Sequence, residues 1–339
     1  MSHQITSTDN LFSANHQPTW HGLGTILDGY PTRAEAQKLV HNWEPIAEPI
    51  YRSVPVITPE GDLRTEFEVI PEKVEYRRSD NGAHLAVNNT SFAPVTNNEL
   101  WDVAEALQTG VGPGDVLYET GGSLKGGGLV WIMLRLAEPI KIKGDVNDLN
   151  IPYYLLQNGH DGMTAFKGSA TNVRVVCANT VRMADLDSKA RGTEFSFRHT
   201  VNVNDRVEEA RRALSGWRES IDAFQQLASL MISEKVSRQG ELQFLEHFIP
   251  APVGTLTSDR VKHNVEEARG QFMAVYNSDT CEGITGTSWG LFQAASEWSE
   301  HVRRAKGNQM ESKFKRALLT PNQVLTTAKV FALEAAQVG

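Results

Sequence analysis

Cysteine is nearly absent. Cys177 and Cys281 are the only two in 339 residues. That is too few for a disulfide framework and points to a reducing cytoplasm. No apolar run approaches the roughly 20 residues that a membrane-spanning helix needs, so no membrane partner is expected. The opening MSHQITSTDNLFSANHQPTW is polar and lacks the apolar core of a secretory signal. Catalytic spacings are missing too. The ten histidines are scattered, with no H-x-x-x-H or C-x-x-C pair to hold zinc. Cys177 has Arg174 nearby but sits in a Val-Val-Cys-Ala run, which reads as an inert buried thiol. The stretch Gly121-Gly122-Ser123-Leu124-Lys125-Gly126-Gly127-Gly128 departs from G-x-x-x-x-G-K-[ST]. It leads into the strand-like run Leu129–Leu134, so it reads as a hairpin tip and not as a phosphate loop. No motif calls for a cofactor, and nothing signals an enzyme.

Positive charge is scarce as well, and unevenly spread. The formal net charge is −8. Residues 1–119 hold 7 Lys/Arg against 17 Asp/Glu, whereas residues 120–200 hold 10 against 7. Residues 201–339 are near balance, with 16 against 17. An acidic chain is a poor nonspecific ligand for nucleic acid. Only its middle would welcome a phosphate backbone.

What is present is a folded α+β pattern, with 40% hydrophobic and 22% charged residues. A loose arm is expected over residues 1–17, an α+β core over 18–204 and a helical region over 205–339. In the core, Thr32 caps a helix over Arg33–Trp43, and Asn97 caps another over Glu99–Thr109. Glu48–Ile57 and Arg64–Ile70 read as one hairpin, and Val74–Arg78 with His84–Asn88 as a second. Val116–Gly122 and Gly128–Leu136 form a third. The expected core is therefore an antiparallel, hairpin-rich sheet with packing helices. Val181–Arg191 reads as partly helical and Glu194–Val203 as a strand. From Asp205 the apolar spacing of three and four begins and the chain turns helical.

The segment Tyr153–Thr180 organises the candidate chemistry. His160, Lys167, Arg174 and Arg182 lie within 23 residues, and Lys125 heads the glycine-rich hairpin. Cations and amide side chains of this kind suit phosphate contacts. His160 and Trp20 are candidates for stacking on bases or shaping a groove. His21 stands with Trp20 in Trp20-His21-Gly22-Leu23-Gly24, where the glycines suggest a backbone passing close to another element.

Five motifs in order carry a resemblance. They are Trp20–Gly24, Tyr118–Leu124 with Val130-Trp131, Asn158–Gly162, Arg174–Thr180, and Gly286–Ala294 with Glu297 and His301. The chain resembles, over roughly residues 18–305, the phage/plasmid-like family, a domain of unknown function carried by bacteriophages and bacterial plasmids. Gly159 and Met163 stand where serine is usual in the family, and Gln293 where asparagine is usual. The resemblance implies a setting in phage or plasmid DNA metabolism but no assigned activity. In outline the first half is also similar to phage single-strand annealing proteins, which hold single strands by the backbone and form rings or filaments. The expectation is thus a single-stranded DNA-binding protein, with annealing or recombination as its task. The binding residues would be Lys125, His160, Lys167, Arg174, Arg182, Trp20 and His21. Two alternatives stay open. One is an enzyme on nucleotides or nucleic acid with a His160-Asp161 site, and the other is a phage structural or host-interaction protein assembling through its helical half.

Overall fold

The computed structural model describes residues 7, 9–14, 24–111, 116–145, 149–174, 179–182, 195–197, 199, 203–251, 258–303 and 323–337. The strands are β1 (Leu11–Ser13), β2 (Thr25–Ile26), β3 (Pro45–Ile57), β4 (Leu63–Arg78), β5 (His84–Asn89), β6 (Val116–Leu124), β7 (Leu129–Leu136), β8 (Ile140–Lys141), β9 (Leu149–Gly159), β10 (Phe166–Arg174), β11 (Asn179–Arg182) and β12 (Phe195–Phe197). The helices are α1 (Arg33–Val40), α2 (Asn97–Val111), α3 (Val203–Ser233), α4 (Arg238–Phe248), α5 (Asp259–Tyr276), α6 (Ser288–Glu297) and α7 (Gln323–Ala335). The protein is α+β, with hairpin-rich sheets in its N-terminal and central parts and helices mostly in its C-terminal part.

Among the described residues the strands form two sheets. The large one runs β11-β10-β9-β7-β6-β1-β2, with β12 beside β10 and β8 beside β9. The small one is β3-β4-β5. The apolar run of β7 is buried on both faces of the large sheet. Val130, Ile132 and Leu134 join Tyr154, Leu156 and Phe166 in the main core, which also holds Trp101 and Leu107 of α2. Their neighbours Trp131 and Met133 join Leu11, Tyr153 and Leu155 on the other face. A strand covered on both sides needs continuous hydrophobicity, which is why the alternation expected of a half-exposed strand is missing here.

The helical region has its own cluster, centred on Phe244, Phe272, Trp289 and Phe292. Helix α3 spans the two. Its Trp217 and Ile221 belong to the sheet core, and its Phe224 and Met231 to the helical cluster. The fusion is reinforced by a buried hydrogen bond of 3.1 Å from Trp289 Nε1 to Asp145 Oδ2.

Three local outcomes differ from expectation. The two hairpins expected over residues 48–88 share a single 16-residue strand, β4. Its register against β3 jumps between Pro49↔Val74 and Tyr51↔Val69. Pro71 sits in that jump, where a missing N–H breaks no ladder bond. Second, the cap of α2 is Thr96 and not Asn97. Thr96 Oγ1 accepts from Glu99 N at 3.1 Å, and Glu99 Oε2 accepts from Thr96 N at 2.6 Å, a reciprocal capping box. Asn97 is released for a buried role. Third, Val181 and Arg182, expected to be helical, lie in β11. The expected cap of α1 is present, with Thr32 and Glu35 forming a capping box.

The glycine-rich loop is a hairpin tip, as its spacing suggests. Lys125, Gly126 and Gly127 turn it with φ of 58°, 70° and 101°. Gly159 makes a tight approach at this end. A Cβ there would meet Thr164 O at 2.3 Å. Gly159→Ala is expected to lower stability by about 1–3 kcal/mol through overpacking, read as a lower urea midpoint with an unchanged m-value.

Candidate functional site

A polar seam lies between the two sheets. It forms where the β6–β7 tip, the end of β9, the start of α2 and the base of β4 converge. Asn97 is its hub. Its Nδ2 donates to the Trp43 carbonyl at 2.7 Å, which leaves Oδ1 to accept from His160 Nε2 at 3.0 Å. Trp43 in turn meets the His160 ring edge-on at 5.3 Å and carries the Arg78 guanidinium 4.4 Å above its own ring. Arg78 is held by both oxygens of Asp80 and by the Gly126 carbonyl. Gly127 has no Cβ because one would strike Trp43 at 2.8 Å.

Two more histidines are buried nearby. His41 Nδ1 accepts from Trp101 Nε1 at 3.2 Å, so its Nε2 carries the proton donated to the Gly122 carbonyl at 2.8 Å. His199 Nδ1 accepts from Val95 N, and its Nε2 donates to the Thr164 carbonyl. Partners thus assign the tautomers. Burial, with Arg78 adding to it, pushes the His41 pKa down to about 4 despite the Gly122 bond. Burial, then the neighbouring His199 and His41, pushes His160 to about 3. Both rings are neutral at ordinary pH. His160 Nδ1, Trp43 Nε1 and Asn158 Oδ1 are buried without a hydrogen-bond partner.

The residues singled out from the sequence fall in different places. His160 is 1% exposed, so stacking a base on it would require the seam to open. Asp161 closes the β9–β10 turn, accepting from Met163 N, Thr164 N and Thr164 Oγ1. Burial raises its pKa, but these hydrogen bonds and Lys125 outweigh that and hold it below the usual value. The His160 imidazole is thus neutral and interior, and the neighbouring Asp161 carboxylate is engaged in the turn. Lys125 Nζ lies 3.3 Å from Asp161 Oδ2.

Lys167 stands on β10 across from Gln157 and Ser196. Arg174 ends the same strand, opposite Asn150 and Asn179. That is seven residues and roughly 23 Å further on at a strand's rise. Arg182 is on β11, across from Thr171. Trp20, His21 and Cys177 lie outside the described residues. Gly24, which closes their motif, packs against β1, where an added Cβ would meet Leu11 O at 2.6 Å. Trp43 and Asn97, expected as a helix end and a helix cap, and His41 and His199 were not among the expected site residues. The one signal available was the pair of amides and imidazoles set among apolar neighbours.

A cavity of about 390 Å³ lies elsewhere, beside the start of α1, lined by Tyr30, Arg33, Glu105, Gln108 and Tyr118 among others. Its cation is already paired, since Arg33 reaches Asp102 at 2.6 Å and Glu105 at 2.5 Å. Burial pushes the Tyr118 hydroxyl up to about 12. Among the described residues, no group of three His, Cys, Asp or Glu side chains is placed to hold a metal ion. No helix among them is long and apolar enough to cross a membrane.

Residues 84–319 match the family described as a domain of unknown function, DUF932. The chain belongs to the DUF932 family. No curated protein and no solved structure matches it. The DUF932 span begins at His84 on β5 and runs through the large sheet to beyond α6. It includes most of the seam but leaves Trp43 and Arg78 outside. Inside it, the Gly286–Ala294 motif serves as a helix start, with Thr287 Oγ1 accepting from Gly290 N at 3.1 Å. Helix α6 lies against β11, which brings two of the five motifs together. It carries a buried polar row of Gln293 and Ser296, continued by Ser299 and Glu300 in the π-helical turn Trp298–Val302.

The depressed histidine pKa values fix a pH dependence. The unfolded chain takes up protons near pH 6.5 and the folded one does not, so stability falls as pH drops below 6.5 toward the folded values near 4 and 3. The slope is about 1.4 kcal/mol per pH unit for each histidine. His160→Gln should remove one of the two slopes, seen as a flatter dependence of the urea midpoint on pH between 6.5 and 4.5.

Proposed function

We propose that the chain binds the backbone of single-stranded DNA during phage or plasmid replication or recombination. The observation that supports this is the placement of charge along the large sheet. Lys167, Arg174 and Arg182 fall on β10 and β11, adjoining strands at one end of the strand order. Exposed Lys141 and Lys143 stand by the start of β9, the next strand in. The opposite end and the small sheet are built from residues 1–119, where acids outnumber bases by 17 to 7. A strand of phosphates is attracted to the cationic end. Lys125 and His160 drop out of the binding set, the first because it is paired and the second because it is enclosed.

Binding through the backbone depends on salt and tolerates any sequence. The test is fluorescence anisotropy with a labelled oligonucleotide over a salt series. The triple variant Lys167→Ala, Arg174→Ala, Arg182→Ala should lose at least about tenfold in affinity. Its slope of log K against log salt should fall by about 2, at roughly 0.7 per lost phosphate contact on a single strand. Equal affinity of the variant and the parent, or no binding by the parent at low salt, would overturn the assignment.

A further inference from the structure

The β3–β4 hairpin runs on past its base as a free ribbon. At the register jump a single residue, Ile50, faces the four residues 70–73. Beyond it the pairs Tyr51–Val69, Ser53–Phe67, Pro55–Thr65 and Ile57–Leu63 alternate with Arg52–Glu68, Val54–Glu66 and Val56–Arg64. Directly opposed residues share a face, and successive ones alternate. One face is therefore apolar and the other charged, with Arg52 holding Glu68 at 2.7 Å. The apolar face is open to solvent. Tyr51 is 53% exposed, Ile57 72%, Leu63 73%, Phe67 71% and Val69 50%.

A two-stranded ribbon alone is marginal in water. Monomers seldom show contiguous apolar patches beyond a few hundred Å². Addition of a further strand along the edges is disfavoured, because Pro49 and Pro55 interrupt the N–H row of β3 and Pro71 that of β4. The face, and not the edge, is what remains to be covered.

We propose that two copies of this chain pair through it, ribbon on ribbon and antiparallel. Five side chains at roughly 100 Å² each give about 500 Å² per copy. The pair then buries about 1,000 Å², the lower bound for a specific interface. Both ends of the ribbon carry mixed charge, Glu60, Asp62 and Arg64 at the tip and Glu72 and Lys73 at the kink, so charge does not oppose that direction. An isologous contact closes at two copies. It gives a dimer, not the ring or filament implied by the annealing-protein resemblance. The inference does not depend on DNA binding.

The experiment is sedimentation velocity on the full chain over a concentration series without DNA. A concentration-dependent dimer is expected. Phe67→Asp should weaken it by at least about thirtyfold, the size of an interface hot spot, with an unchanged circular dichroism spectrum. Should that variant misfold, cysteine cross-linking decides. Ser53→Cys, at the centre of the apolar face, should give a covalent dimer under mild oxidation, and Glu66→Cys on the charged face should not. A parent that is monomeric at every concentration assigns the face to a different protein and overturns the dimer. So does a folded Phe67→Asp variant that dimerises as before, or equal cross-linking at both positions.

Discussion

The hydrogen bonds of Asn97 are the constraint on which the arrangement of the two sheets rests. One amide links a main-chain carbonyl from the segment before β3 to an imidazole at the end of β9. All three groups are out of water, so removing any one leaves the others desolvated and unmatched, at a cost of about 1–3 kcal/mol each. An apolar contact would tolerate sliding, whereas a pair of directed bonds does not. The seam thus sets the direction in which the ribbon leaves the body.

The same logic fastens the helical region. Apolar packing along α3 supplies area without direction. The Trp289–Asp145 bond adds direction, at a buried position between the central segment and α6. Much of what the DUF932 motifs contribute is of this kind. Gly122 offers its carbonyl to His41, and its missing Cβ leaves room for β1 at 2.7 Å from Asn10 O. Gly290 lets the Ile284 carbonyl approach to 2.3 Å of where a Cβ would stand. These residues serve the packing of the fold. The buried polar row of α6 is the part of the pattern that packing does not explain.

Much was legible in the chain alone. The Thr32 cap, the β6–β7 hairpin and the long helix from about residue 205 follow from short-range rules about turn residues, caps and period. The errors came where such rules competed. Thr96 and Asn97 both suit a cap, and only the buried demand from Trp43 and His160 decides between them. Pro71 looks like a break between strands until the register jump gives it a place without a ladder bond.

The sequence by itself determined the α+β class, the acid-rich first third and the cationic middle, because composition and periodicity are properties of neighbours along the chain. Only the tertiary structure decided which histidine is enclosed and that Lys125 is paired with Asp161. His160 and Lys167 are seven residues apart, yet one is interior and the other half-buried on the sheet. Burial and pKa depend on what the rest of the chain brings alongside, and that information is spread over α2, β4, β9 and residues more than sixty positions away.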